Sequence, residues 1–339
     1  MLRRALVLAL TFGLVPAAGP VLAQDGLGEP LTFVDADGIT RGTVTVSEIA
    51  DPFQEFDPGR PPEEGMKYVL LTVQFEAAAD QQFDAEPWMI VLQGADGTLW
   101  TYNSVPRPEG QIVPDLQGQT LAPGNRISGV IGYVVPADAQ LDQVLFTPTS
   151  SRLATLVDVT PGPGPAPGEA VNYTDATGSS VAITAQVEDP YTGYDPGSPP
   201  EEGSRLAVVS ASYEDVGELP YWADPYDLTV RDADGNVYSR VSLYREPGFA
   251  IPEMESQTLA PGDHISGLNA YQVPEGATLA GVYYQVESNR IVQVADLTGG
   301  GPVEPGPTAA PVATPSPPPA ATPAPPASPA PSASAGTGR

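Results

Sequence analysis

Residues 51–159 and 189–297 are one domain written twice, in register and without a gap. Asp51-Pro52-Phe53 returns as Asp189-Pro190-Tyr191, and Pro61-Pro62-Glu63-Glu64-Gly65 as Pro199-Pro200-Glu201-Glu202-Gly203. Gln119-Thr120-Leu121-Ala122-Pro123-Gly124 returns as Gln257-Thr258-Leu259-Ala260-Pro261-Gly262, and the ends agree, Arg152 with Arg290 and Asp158 with Asp296. A duplication constrains the architecture before any element is assigned: two units of one fold. It also provides an internal comparison, because a residue kept in both copies has survived their divergence.

The hydrophobic period inside each copy is two. Val69, Leu71, Val73 and Phe75 alternate with Leu70, Thr72, Gln74 and Glu76, and Ala207, Val209, Ala211 and Tyr213 occupy the same phase in the second copy. Such alternation puts one set on a core face and the other outward. Trp88, Ile90 and Leu92, matched by Tyr226, Leu228 and Val230, extend the pattern and place Trp88 and Tyr226 in core phase. Asp96-Gly97 and Asp234-Gly235 mark tight hairpin turns, because glycine accepts the positive φ they need. Pro123-Gly124 and Pro261-Gly262 suit type II turns. Tyr133 and Tyr271 are expected to be buried with their hydroxyls bonded to backbone, and Asn269 replaces Ile131 at an inward position, where an amide needs partners. No long stretch has helical spacing. About seven strands per copy with regular turn signals predict an all-β fold of two tandem immunoglobulin-like β-sandwiches.

The flanks are of other kinds. Arg3 and Arg4, an apolar stretch from Ala5 to Val15, and Val21-Leu22-Ala23 have the layout of a secretory signal peptide over residues 1–23. The apolar stretch is too short to span a bilayer, so no transmembrane segment is expected after cleavage. Immunoglobulin-like domains are expected at 25–160 and 170–299. The Pro/Gly-rich segment 161–169 between them predicts an extended hinge with little interface. Residues 300–339, rich in Pro, Ala, Ser and Thr, predict a disordered tail.

Gly65-Met66-Lys67-Tyr68-Val69-Leu70-Leu71-Thr72-Val73, an Ala-Asp-Gly hairpin, Leu121-Ala122-Pro123-Gly124-Asn125-Arg126-Ile127-Ser128-Gly129 and Tyr133-Val134-Val135-Pro136 together resemble the bacterial secreted domain of unknown function 4352. The resemblance covers most of both repeats and implies a telokin-like immunoglobulin sandwich. It implies no catalytic residues. The chain departs from the family pattern in its acidic, proline-rich loop before Gly65 and Gly203, and in carrying two copies.

Composition excludes several classes of function. A formal charge of −28 opposes binding to nucleic acid or anionic lipid, whose contacts depend on Lys and Arg. It favours cations or basic partners. The chain has no cysteine and a single histidine, His264, so neither a thiol nucleophile nor a zinc cluster is available. His264 follows a turn, and no triad is implied around it. The expectation is a secreted, extracytoplasmic, non-enzymatic protein without a cofactor, which binds or displays an extracellular or envelope partner. A structural spacer of the cell envelope and a weak calcium-dependent module are the alternatives.

One constellation recurs in both copies. Asp51, Asp57, Glu63 and Glu64 are mirrored by Asp189, Asp195, Glu201 and Glu202. Carboxylates of this density offer oxygen ligands to calcium, although the spacing is not that of a helix-loop-helix site. Phe53 and Phe56, mirrored by Tyr191 and Tyr194, are interleaved with them. Aromatic residues anchor interfaces, and they also cover sheet edges.

Overall fold

The computed structural model describes residues 25–160, 162–245 and 251–299; the expected signal peptide and tail lie outside the described residues. The first copy contains strands β1 (Leu31–Val34), β2 (Thr40–Ala50), β3 (Met66–Ala77), β4 (Phe83–Ala85), β5 (Ile90–Gly94) and β6 (Leu99–Trp100). It continues with β7 (Gln119–Leu121), β8 (Arg126–Pro136), β9 (Leu141–Thr149) and β10 (Arg152–Asp158). One sheet has the order β1-β2-β3-β8, the facing sheet β10-β9-β5-β6, and β4 and β7 make a short ribbon at the side.

The second copy repeats this plan. Its strands are β11 (Val171–Thr174), β12 (Ser180–Glu188), β13 (Ser204–Asp215), β14 (Tyr221–Ala223), β15 (Leu228–Asp232) and β16 (Val237–Tyr238). They are followed by β17 (Arg240–Val241), β18 (Gln257–Leu259), β19 (His264–Pro274), β20 (Leu279–Glu287) and β21 (Arg290–Asp296). Sheets β11-β12-β13-β19-β17 and β16-β15-β20-β21 face each other, with β14 and β18 as the ribbon. All pairs within these sheets and ribbons are antiparallel.

The period-two reading sets the core. Val69, Leu71, Val73 and Phe75 on β3 are fully buried, as are Ala207, Val209 and Tyr213 on β13, with Ala211 nearly so. On the central pair, Val69 faces Tyr133 and Leu71 faces Ile131; in the second copy Ala207 faces Tyr271 and Val209 faces Asn269. Tyr133 donates its hydroxyl to Ile90 O at 2.9 Å, and Tyr271 to Leu228 O at 3.1 Å, as the sequence predicts. Gly129 and Gly267 admit Leu116 and Met254 to the two cores: a Cβ on either glycine would meet the Cα of its neighbour at 2.7 Å.

The copies differ at their first strands by two bulges. Arg41 is passed over in the β1–β2 register and Ser47 in the β2–β3 register, whereas β11–β12 and β12–β13 run without a shift. Strand β2 therefore has 11 residues and β12 has 9. As a result Phe33 on β1 corresponds to Tyr173 on β11 although the later residues keep the spacing of Asp51 to Asp189. A bulge adds one unpaired residue without disturbing the face assignment beyond it.

Trp88 and Tyr226 correct the sequence reading. They are 48% and 66% exposed. Pro87–Met89 and Pro225–Asp227 form 3-10 turns rather than strand, so the alternation that holds from Ile90 onward does not extend back across the proline. Met89, not Trp88, reaches the first core.

The expected free hinge is also corrected, because the two copies are joined by reciprocal main-chain bonds. The β5–β6 hairpin tip of the first copy meets the β20–β21 turn of the second: Leu99 N donates to Asn289 O at 2.7 Å and Ile291 N to Gly97 O at 3.0 Å. The β15–β16 tip meets the β9–β10 turn in the same way, with Val237 N to Ser151 O at 2.9 Å and Leu153 N to Gly235 O at 2.8 Å. Side chains repeat the relation. Gln93 Nε2 donates to Ile291 O at 2.8 Å, and Arg231, its counterpart, donates to Leu153 O at 3.3 Å. The same patch on each copy meets the same patch on the other, which is the signature of an isologous interface. Hairpin tips and turns carry unpaired backbone groups, and here each set satisfies the other. The linker adds to the contact: Gly164 N donates to Asp296 Oδ2 at 3.0 Å and Asp296 N to Pro165 O at 2.7 Å.

Candidate functional site

The repeated acidic loop leaves β2 or β12 and crosses the outer face of its sheet. In the first copy it is tied down by Phe53 N donating to Tyr68 O at 2.7 Å and Asp57 N to Pro106 O at 3.0 Å. In the second, Tyr191 N donates to Leu206 O and Asp195 N to Tyr244 O, both at 2.8 Å. Prolines remove donors and fix φ, so the loop stays extended between these ties.

The structure does not gather the eight carboxylates. Asp51 pairs with Lys67 at 2.8 Å, and Asp189 with Arg205 through two bonds of 2.6 and 2.8 Å. Asp57 and Asp195 close local turns, each accepting at 2.9 Å from the backbone of Gly59 or Gly197. The Gly59 bond, with Arg60 beside it, holds the Asp57 carboxyl below its ordinary range. Glu63, Glu64, Glu201 and Glu202 are exposed. Among the described residues no group of three or more His, Asp or Glu converges as a metal cage would require. Each aspartate has found a cation or a backbone donor nearby, and such partners come cheaper than a shared ion.

The four aromatic residues act together more than the acids do. Phe53 and Phe56 are half-buried, and the Phe56 ring stands edge-on to Tyr68 at 5.5 Å. Tyr191 is buried, with its hydroxyl on Gly193 O at 3.2 Å. It forms a small outer core with Leu206, Val208, Leu243, Leu268 and Ala270, and Tyr194 packs on its margin. The loop is thus a lid over one sheet face. In the second copy it also encloses a groove of about 380 Å³, lined by Tyr191, Tyr194, Pro200, Glu201, Glu202 and Arg205.

A second concavity was not foreseen from the sequence. A cleft of about 670 Å³ lies between the copies, with Gln93, Asp142, Asp158, Arg231, Tyr283 and Asp296 among its lining residues. Burial is the main cause of a raised pKa at Asp142, with the Asp158 charge adding to it, and burial likewise raises Asp158. Arg231 is already engaged, stacked 4.3 Å over the Tyr283 ring and bonded to its hydroxyl. The sequence signals for this region are Asp158 with Asp296 and Arg152 with Arg290, kept at the same places in both copies. Arg290 stacks on Tyr173 at 4.5 Å and donates to Asp96 O of the first copy at 2.9 Å; Arg152 stacks on Phe33 at 5.0 Å. His264 is exposed at the start of β19.

Two antiparallel sandwiches with lidded outer faces define a tandem β-sandwich protein. Residues 38–153 match the model of the family described as Domain of unknown function (DUF4352), so the first copy is a DUF4352 domain. Among solved structures, the crystal structure of the yjhA protein from Bacillus subtilis is similar at 18% identity and a TM-score of 0.27, covering 37% of this chain and 86% of that chain. No curated protein matches. No helix among the described residues is long and apolar enough to cross a membrane.

Proposed function

We propose that this is a secreted, non-enzymatic binding or display protein whose partner is a basic surface outside the cytoplasmic membrane. The groove under the second acidic loop carries this reading. It presents Glu201 and Glu202 to solvent beside Tyr191 and Tyr194. Exposed carboxylates next to anchored aromatics suit a cationic polymer or protein, where aromatic contact area supplies affinity and charge supplies steering. The signal-like residues 1–23 and the charge of −28 support an extracytoplasmic setting and a basic partner.

A spacer role is the second reading, and the reciprocal bonds between the copies favour it, since they make a stiff unit from two domains. A pull-down separates the two. The mature chain and a Tyr194→Ala/Glu201→Gln/Glu202→Gln variant are each exposed to envelope extract and culture fluid of the producing cell. The binding reading expects a partner that is released by salt and lost with the variant. Equal capture by both proteins would move the contact away from the groove, and no capture by either would leave the spacer.

A further inference from the structure

The two cores are built on one frame but not from one chemistry. The first contains an aromatic cluster of Phe33, Phe75, Phe83 and Phe146, with ring centroids 5.5 to 6.4 Å apart. At the four corresponding positions the second core has Tyr173, Tyr213, Tyr221 and Tyr284, each at most 1% exposed. Met89 corresponds to Asp227, and Ile131 to Asn269. Six apolar side chains have become polar while the two facing sheets and the side ribbon are kept.

Four buried hydroxyls need partners, because an unpaired one costs most of its hydration. Tyr221 and Tyr284 bond to each other. The hydroxyls of Tyr173 and Tyr213, and both polar atoms of the Asn269 amide, have no protein partner among the described residues. Tyr173 and Tyr213 both pack against Tyr284, at 5.3 and 5.8 Å between ring centroids. Burial first, and then neighbouring groups that include the Asp227 carboxylate, raises the pKa of Tyr213 and Tyr284. The Tyr213 and Tyr284 hydroxyls therefore stay protonated. The second core also carries smaller aliphatic side chains. Val46, Val69, Leu71 and Val73 of the first core give way to Ala185, Ala207, Val209 and Ala211, so the lost methyl groups outweigh the four added oxygens.

We propose that the second sandwich holds an internal water site, centred on the Tyr173 and Tyr213 hydroxyls and absent from the first. Buried water of this kind makes about three hydrogen bonds and serves polar groups that the protein leaves unpaired. Tyrosine hydroxyls both donate and accept, so they suit water better than an ion of either sign. Asp227, half-buried at the 3-10 turn and with no side-chain donor among the described residues, offers the acceptor at the margin of the site.

The test compares the two cores in the mature chain. A crystal structure with ordered solvent is expected to place water within about 3 Å of Tyr173 Oη or Tyr213 Oη, and none inside the four-phenylalanine cluster. Solvent-free density around both hydroxyls would overturn the proposal. The variants Tyr173→Phe and Tyr213→Phe add an independent readout and preserve shape. If water bonds the hydroxyl, its removal strands that water and lowers Tm. If the hydroxyl is dry and unpaired, its removal relieves a penalty, so an unchanged or raised Tm in both variants counts against the site.

Discussion

Apart from two bulges in the first copy and the added β17 in the second, the copies share one strand plan, with opposite tolerance for polarity. Phe33, Phe75, Phe83 and Phe146 fill one core; Tyr173, Tyr213, Tyr221 and Tyr284 fill the other. Ala77 is Asp215 in the second copy, buried with one carboxylate oxygen unpartnered. The comparison separates what the fold requires from what it permits. Both copies keep the alternation, the turn glycines, the tyrosine bonded across the sandwich and the glycine that admits Leu116 or Met254. Those features set strand direction and close approach, which a side-chain oxygen does not replace. The aromatic cluster needs shape above all, and a hydroxyl adds little to the shape of a ring.

The most severe break in the comparison is a charge on the shared core face. Val73→Asp and Ala211→Asp are each expected to unfold their own copy, because an unpaired buried carboxylate costs several kcal/mol, comparable with a domain's whole stability of about 5–15 kcal/mol. Gln74→Asp, one residue along on the outer face, should shift the thermal transition hardly at all. Equal damage at positions 73 and 74 would show the strand phase to be wrong.

Next in size is the interface. Gly97 and Gly235 have φ of 82° and 83°. A Cβ on Gly97 would lie 2.3 Å from Ile291 O, and one on Gly235 would lie 2.7 Å from Leu153 O. Alanine at either position therefore suffers the left-handed penalty of about 1–2 kcal/mol and also strikes the other copy. The expected calorimetric result for Gly97→Ala/Gly235→Ala is a single transition resolved into two. A single unchanged transition would mean that the hairpin tips do not hold the copies together.

A smaller effect sharpens the contrast between the cores. Ile131→Asn should destabilise the first copy by about 2 kcal/mol, since it buries an amide where nothing is arranged to receive it. Asn269→Ile should hold or raise the stability of the second copy, by up to about 1 kcal/mol, because it removes an amide without a protein partner among the described residues and adds apolar burial. Chemical denaturation of the two variants measures both shifts, and equal losses would remove the distinction between the cores.

The smallest effect depends on pH. Burial, and then the charge of Asp224, pushes the Asp227 carboxyl up to about 6. Between the ordinary carboxylate range and that value the folded chain binds the proton more tightly than the unfolded one. This stability is present in full below about pH 4 and is lost as pH rises through 6. Asp227→Met, which installs the first copy's residue, should flatten that part of the profile of Tm against pH. Retention of the same slope in the variant would assign it to other groups, such as Asp142 and Asp158.

Much of this was legible in the sequence, and for local reasons. The face of β3 follows from alternation, the hairpin tips from Asp-Gly, and the buried Tyr133 and Tyr271 hydroxyls from phase. Asn269 stood out because the other copy supplied the apolar residue for comparison. Trp88 misled because a proline turn interrupts the period that it seemed to continue. The eight acidic residues are close in sequence, yet Asp51 and Asp189 turn to Lys67 and Arg205 on the neighbouring strand, Asp57 and Asp195 close local turns, and the four glutamates stay exposed. The interface was hidden for a different reason. Its reciprocal bonds run between main-chain atoms of turns, and the side chains that repeat the relation, Gln93 and Arg231, differ in type between the copies, so no shared residue type marks the contact. Arg152 and Arg290 were visible as a conserved pair between the copies, but their stacking on Phe33 and Tyr173 depends on strands β1 and β11, which are too short to show a period.

Amide hydrogen exchange on the mature chain tests the central claim, that two copies are joined into one body by reciprocal turn-to-turn bonds. The amides of Leu99, Leu153, Val237 and Ile291 all donate across the interface. Protection of all four, lost together in Gly97→Ala/Gly235→Ala while the amides of β3 and β13 stay protected, is the predicted result. Exchange of these four at the rate of open turns in the parent chain would contradict it.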